Sequence, residues 1–282
     1  MHHNLSPSFA NQLSVHILEI GRIEAGIEWR FDDIRSPFHR LYFVKGGDGS
    51  VQDRQTKTLL EAGKTYLVPA NHAYSYACKQ SINKEYVHFR VDLCAGLDVI
   101  DYARQQGQLQ NCVIEIPSHS RKCDEFSKAL DCLLVSPSDI LANLQLRTCV
   151  TSSLVSMLEG QVLSLPILGF SKENPYPQVF SYIAKHVTHG IRVADIARVI
   201  GADPKNFARQ FKRHTGISLK SHLLTQLNQK AQNALLTSNQ SVANVAQDLG
   251  FDDEFYFSRY FKKMNGVAPS DYRQMIADMT RS

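Results

Sequence analysis

Hydrophobic positions change period along this chain. Between about Leu13 and Ile116 they fall in short alternating or β-branched runs: SVHILEIGRIE, HRLYFVKG, KTYLVPA, AYSYAC, EYVHFRVDL and NCVIEIP. A period of two marks a half-buried strand. Turn residues separate the runs at Ser36-Pro37, Gly46-Gly47-Asp48-Gly49, Ala62-Gly63 and Pro69-Ala70-Asn71. Many short strands at this spacing predict a sandwich or barrel. From Ser120 to about Gly160 the period becomes helical. One stripe is Phe126, Leu130, Leu133 and Leu134; the next is Ile140, Leu141, Leu144, Val150, Leu154, Met157 and Leu158. Ser136-Pro137-Ser138-Asp139 divides the two and supplies a cap. The run at 161–177 has three prolines and no period, and 161–174 is expected to be a linker.

The last hundred residues are helical again and contain a repeat. Ser241 can cap a short helix with the stripe Val242, Val245, Ala246 and Leu249. Gly250 follows, where a turn needs positive φ. Asp252 and Asp253 can cap the next helix. That helix is predicted to bury Phe257, Tyr260, Phe261 and Met264 and to expose Glu254, Phe255, Ser258, Arg259, Lys262 and Lys263, before Gly266 ends it. Ile196-Ala197, Ile200-Gly201, Phe207, Arg209, Phe211, Lys212-Arg213 and Gly216 reproduce this order about fifty residues earlier. The chain therefore carries two helix-turn-helix units. A helix from about Ser218 to Thr237, with Leu223, Leu227, Ala231 and Ala234-Leu235 on one face, can join them as a spine.

The stretch Ser241–Arg273 resembles the signature of the AraC/XylS family of transcription regulators. The resemblance is carried by Val245-Ala246, Gly250-Phe251, Tyr256-Phe257-Ser258-Arg259, Phe261-Lys262-Lys263, Gly266, Pro269 and Tyr272-Arg273. The segment Gly63–His72 is similar to that family's cupin-like jelly-roll sensor domains. The resemblance implies an α+β protein: a cupin-like sensor barrel at 1–118, a helical segment at 119–160 that can form a dimer contact, the linker, and a DNA-binding domain at 175–282. It also implies a sequence-specific activator with double-stranded DNA, RNA polymerase, a small effector and a second copy of the chain as partners. Two positions depart from the family pattern. Leu227-Asn228 stands where an Arg-Leu pair is usual, and Arg192 where a Ser or Thr cap is usual.

Charge adds to this picture. The chain has 282 residues and a net charge of +4. From Pro175 to the end there are 14 Lys and Arg against 8 Asp and Glu, whereas the preceding part has 17 against 19. A basic module beside a near-neutral one fits contact with a polyanion at the C-terminal end. No apolar run approaches a membrane span, and the N-terminus lacks the pattern of a secretory signal. The six cysteines (78, 94, 112, 123, 132 and 149) form no C-x-x-C pair, so reduced thiols and a cytoplasmic location are expected.

The second helix of each unit is the one that enters a major groove. Lys205, Asn206, Ala208, Arg209, Lys212 and Arg213 form the candidate face of the first. Arg209 and Arg259 suit guanine edges and Asn206 suits adenine. Lys212, Arg213, Lys262 and Lys263 suit phosphates. Phe255 is placed either against thymine methyls or against the connecting helix, and Glu254 chiefly complements its helix dipole. Inside a barrel, Trp29, Arg40, Tyr42, His72, Tyr74, Tyr76, His88 and Arg90 are the candidate effector contacts, suited to a sugar or sugar acid. No cofactor is expected. The alternative is a metal-dependent cupin enzyme with an accessory DNA-binding domain. Such a site needs clustered histidines, and His39, His72 and His88 are far apart, with His2-His3 in the terminus. A third reading has a ligand-free barrel that serves only dimerisation.

Overall fold

The computed structural model of the chain describes residues 13–93, 97–109, 113–117, 120–159, 176–215 and 217–281. The expected linker at 161–174, His2-His3, Cys94, Cys112 and Gly216 lie outside the described residues. Two compact units emerge. One is built chiefly from Val15–Arg90 and Leu109–Leu163, the other from Val91–Gln108 and Ser164–Gln274.

The first unit holds the sheets. Its strands are β1 (Leu13–Ala25), β2 (Phe31–Arg35), β3 (His39–Gly47), β4 (Ser50–Gln52), β5 (Lys57–Leu59), β6 (Thr65–Val68), β7 (Ala73–Ala77), β8 (Ile82–Leu93) and β9 (Ile114–Ile116). They form a five-stranded sheet ordered β1-β8-β3-β6-β9 and a four-stranded sheet ordered β2-β7-β4-β5. β3 pairs antiparallel with β8 so that Arg40 opposes His88, Tyr42 opposes Tyr86 and Val44 opposes Lys84. Alternation places these on one face of the larger sheet. Leu41, Phe43, Glu85, Val87 and Phe89 take the other.

That other face is covered by helix. α2 (Ser120–Val135) stacks Phe126 on Phe43 with ring centres 4.2 Å apart. α3 (Ile140–Leu158) lies against α2. The long apolar stripe expected for α3 divides into two arcs. Ala142, Leu146, Cys149, Val150, Leu154 and Met157 are buried, whereas Ile140, Leu141 and Leu144 are exposed. At 100° per residue these sets lie on opposite sides of the helix. In α2, Phe126, Leu130 and Leu133 are buried and Leu134 is turned outward.

The second unit is helical. It contains α4 (Tyr176–His186), α5 (Val193–Val199), α6 (Pro204–Thr215), α7 (Leu219–Thr237), α8 (Val242–Asp248), α9 (Glu254–Asn265) and the start of α10 (Pro269–Arg281). A further short helix, α1 (Val99–Gln105), groups with it. α1 is capped by Asp98, whose side chain accepts from the Asp101 amide. Seven residues make fewer than two turns, too few to show a period in sequence. α7 is the spine. It buries Leu223, Leu227, Ala231 and Leu235 as expected, and with them the polar residues His222, Gln226, Asn228, Gln229 and Gln232.

Candidate functional site

The two helix-turn-helix units are built alike. In the first, Ile196 and Ala197 of α5 are buried, and Gly201 turns the chain at φ +63°. Asp203 then accepts from the Asn206 amide at 2.8 Å, which caps α6 ahead of Pro204. Arg192 precedes α5 without a hydroxyl cap. Its amide is satisfied instead by Asp195 Oδ2 at 3.0 Å. In the second unit Ser241 accepts from the Asn244 amide at 3.1 Å, and Val245 and Ala246 are buried. Gly250 turns at φ +76°, where a Cβ would also stand 3.2 Å from that of Thr188. Asp253 accepts from the Tyr256 amide at 2.6 Å.

Each second helix has one aromatic face inside and one polar face outside. Phe207 and Phe211 are buried in α6, Phe257 and Phe261 in α9. Tyr260 and Met264, expected inside, are only half-buried. The Tyr260 hydroxyl reaches the spine, donating to Leu224 O at 3.3 Å. On α6 the residues Lys205, Asn206, Arg209, Lys212 and Arg213 are exposed and Ala208 is half-buried. Arg209 donates to Asn206 Oδ1 at 3.0 Å, so the two candidate base readers are held together. Beside α6 runs a groove of about 570 Å³ with Val193, Ala208 and Leu219 in its lining and Arg209, Lys212, Arg213 and Lys220 around them. On α9 the residues Glu254, Arg259, Lys262 and Lys263 are exposed and Ser258 is half-buried. Phe255 is 76% exposed, so it does not pack on the connecting helix. Every residue expected on these two faces is brought to its surface.

The interior face of the larger sheet carries the second cluster. Arg40, Tyr42, Tyr76, His88 and Trp29 are buried, and most touch one another. The Arg40 guanidinium lies over the rings of Phe38 and Tyr76 at 5.0 and 5.4 Å and donates to Ser36 Oγ at 2.6 Å. Tyr76 meets Trp29 edge to face at 5.8 Å. Phe38 stacks on His88 at 4.5 Å. Arg90 continues the His88 face and is 9% exposed. His72, half-buried, meets the buried Tyr74 at 5.0 Å. Sequence reasoning did not single out Lys84, Tyr86 or Glu19, which complete this cluster. The signal was available for two of them, because Lys84 and Tyr86 alternate with His88 in INKEYVHFRV.

Ionisation in this cluster follows from burial. His88 is pushed down to about 4 by burial, with Arg40 and Lys84 acting in the same direction and Glu19 opposing. At neutral pH its ring is uncharged, and Nδ1 lies 2.9 Å from Glu19 Oε2. Burial raises the Glu19 carboxyl, but its hydrogen bonds from His88 and Tyr86 outweigh that and leave it below its ordinary value. Among the described residues no group of three or more His, Cys, Asp and Glu is placed to hold a metal ion, and no helix is long and apolar enough to cross a membrane.

Known proteins share these features. A helix-turn-helix domain family matches residues 196–275. The raffinose operon transcriptional regulatory protein of Pediococcus pentosaceus is 22% identical over 240 residues, covering 84% of each chain. The arabinose operon regulatory protein of Escherichia coli is 32% identical over 102 residues, 36% of this chain and 35% of that one. Among solved structures, ToxT from Vibrio cholerae superposes with a TM-score of 0.55 at 13% identity, covering 94% of this chain and 98% of the other. The relatives named for operons are regulators, which supports the regulator and not the metal-enzyme alternative.

Proposed function

The chain belongs to the AraC/XylS family of transcription regulators, and we propose that it activates its genes by laying α6 and α9 into successive major-groove segments under the control of a small effector. The observation that carries this reading is the repeated helix-turn-helix with two equivalent faces, aromatic inside and cationic outside. Arg209 and Arg259 read guanine edges and Asn206 reads adenine. Lys205, Lys212, Arg213, Lys262 and Lys263 hold phosphates and set the register. Ala208, Phe255 and Ser258 lie against base edges, and Glu254 complements the α9 dipole. Two readers on one spine cover about two helical turns of DNA.

In this reading residues 1–118 are the sensor, 119–160 the dimer segment, 161–174 the linker and 175–282 the output. The effector lies against Trp29, Arg40, Tyr42, Tyr76 and His88, with Tyr74, Arg90 and His72 around them. Operons named for raffinose and arabinose among the relatives make sugars and their acids the first class to test. The exposed arc Ile140, Leu141 and Leu144 supports a homodimer, and an activator takes RNA polymerase as its last partner. The test is selection of bound sequences from a random duplex pool, repeated in the presence of raffinose, arabinose and the corresponding sugar acids. A shared motif of two half-sites about ten base pairs apart is expected, and enrichment without a motif would overturn the reading.

A further inference from the structure

The two helix-turn-helix units are alike in themselves but differ in what touches their turns. In the first, a Cβ on Gly201 would meet nothing within 4 Å among the described residues other than its chain neighbours. In the second, residues 187–189, just past the end of α4, close on the turn. The His189 amide donates to Leu249 O at 2.8 Å. Its ring lies on that of Phe251 with centres 4.4 Å apart, and Nε2 is 3.2 Å from the Tyr256 hydroxyl. Thr188 stands over Gly250, whose bare Cα leaves room for it. From the spine, Lys230 Nζ donates to Val187 O at 3.0 Å and holds the segment in place.

The body of α4 belongs to the first unit. Tyr176 and Phe180 are buried, and their ring centres are each 5.8 Å from that of Phe211 on the inner face of α6. α4 therefore reaches from the first reader to the turn of the second. It is a strut beside the spine. Two bodies joined by one helix can still twist about it, and a second tie away from that axis removes the freedom. One base pair moves a groove by about 3.4 Å and turns it by about 35°. Hydrogen bonds fail by about 3.6 Å. Contacts of 2.8 and 3.2 Å at His189 do not survive a step of that size.

We propose that the strut α4, latched by His189 onto the turn of the second unit, sets the half-site spacing that the protein accepts. This rests on the reading of α6 and α9 as readers of successive major-groove segments. His189 is then a positioning residue: it touches no base and acts through Phe251 and Tyr256 on the placement of α9. The latch lies at the rim of the helical unit, with His189 half-buried and Tyr256 39% exposed, so it can open without breaching either core. While it is closed, a site one base pair longer or shorter is bound only by opening the latch or twisting the DNA. Either costs about tenfold in affinity.

The test is selection by the whole chain from a random duplex pool, with the distance between half-sites counted in the sequenced products. Wild type is expected to return one spacing, with products one base pair longer or shorter about tenfold rarer. His189→Ala is expected to return the same two half-site motifs and to accept a neighbouring spacing within about twofold of the first. His189→Phe keeps a ring on Phe251 and should restore most of the wild-type preference. If His189→Ala melts well below wild type, His189→Gln takes its place, since it also removes the ring, and the same broadening is expected. A single sharp spacing in both wild type and the folded variant overturns the proposal, while the reading of α6 and α9 stands. So does a variant that changes the preferred bases of the α9 half-site and keeps the spacing sharp, which would place His189 in base reading through Arg259. A wild type that returns half-sites at many spacings overturns it too. A pool with no paired half-sites removes the two-reader reading itself, and the strut with it.

Discussion

Asn228, midway along the spine α7, and Asn265, in the last turn of α9, donate to each other. Nδ2 of Asn228 reaches Oδ1 of Asn265 at 3.0 Å, and the return bond is 2.8 Å. Gln232 adds a donor to the same oxygen at 2.8 Å, and Asn265 Nδ2 also reaches Phe261 O at 2.9 Å. All three amides are buried. The Asn228–Asn265 pair is bonded in both directions, while Gln232 Oε1 has no partner among the described residues. The reciprocal pair specifies one arrangement, because any slip of α9 along the spine strands several polar groups. The register of the second DNA reader is therefore set from behind, at a position where the family usually carries a different pair.

Asn265→Leu removes the partner of both Asn228 and Gln232. The expected loss is about 1–3 kcal/mol for each amide left unpaired in the interior. Asn228→Leu together with Asn265→Leu should cost less than the two single losses combined, since the apolar pair leaves fewer orphans. Urea unfolding followed at 222 nm measures the cycle, and strictly additive losses would show that the two residues act independently.

Much of this was legible in the chain itself. The turn glycines Gly201 and Gly250, the caps Asp203, Ser241 and Asp253, and the buried pairs Phe207-Phe211 and Phe257-Phe261 all follow from local spacing. The outward faces of α6 and α9 follow from the same spacing. What was not legible depends on partners far apart in sequence. Asn228 read as a departure from a pattern until Asn265, 37 residues on, was seen to meet it. Lys84 was not singled out, because its burial among the rings of Trp29 and Tyr42 depends on other segments of the chain. The α3 stripe looked continuous because apolar residues occupy both of its sides, and periodicity does not say which side has a neighbour.

Arg259 stands on the exposed face of α9 with its guanidinium 6.0 Å from the Tyr256 ring centre. Such a distance is at the limit of a cation–π contact, so little holds the side chain back from a base edge. Arg259→Ala is expected to cost about 1–3 kcal/mol of operator affinity and to relax the sequence preference at one base pair. Fluorescence anisotropy on the operator and on single-base variants measures both. Unchanged affinity would mean that α9 docks on another face.

Lys262 lies in the last turn of the same helix and is exposed. A phosphate contact has no sequence preference, so Lys262→Ala should weaken specific and random duplexes by the same factor. The slope of log affinity against log salt should fall by about one. A slope equal to that of the wild type would take Lys262 out of the phosphate contacts.

His222 is buried in α7 between Phe180 at 5.1 Å and Phe211 at 5.9 Å, with no hydrogen-bond partner for Nε2 among the described residues. Burial pushes it down to about 4. The unfolded chain takes up this proton near 6.5 and the folded chain does not, so stability falls as pH drops from about 6.5 to 4. The full loss is about 3 kcal/mol. His222→Phe should flatten the acid limb of the transition read at 222 nm. It should leave the transition of the sheet unit, read by Trp29 fluorescence, where it was, because His222 belongs to the helical unit and the acid response of the sheet unit comes from its own groups, His88 and Glu19 among them. An acid limb unchanged at 222 nm would assign the proton uptake elsewhere.

The apolar arc of α3 is the strongest surface argument for a second copy of the chain. Ile140, Leu141 and Leu144 are 76%, 66% and 57% exposed on one side of the helix, while Leu146, Val150 and Leu154 on the other side are buried in the unit's own core. Three large aliphatic groups on consecutive turns are more than scattered surface residues need, and a helix pairing with its own copy buries them symmetrically. Changing Leu141 and Leu144 to Glu places charge in that contact without touching the buried arc. The double variant is expected to sediment as a monomer at micromolar concentration, where the wild type sediments as a dimer. Its melting by Trp29 fluorescence, compared at a concentration too low for dimers, should stay within about 0.5 kcal/mol of the wild type, as for any surface change. A wild type that is itself monomeric at those concentrations would leave the arc without this role. A variant that stays dimeric would place the interface on another surface.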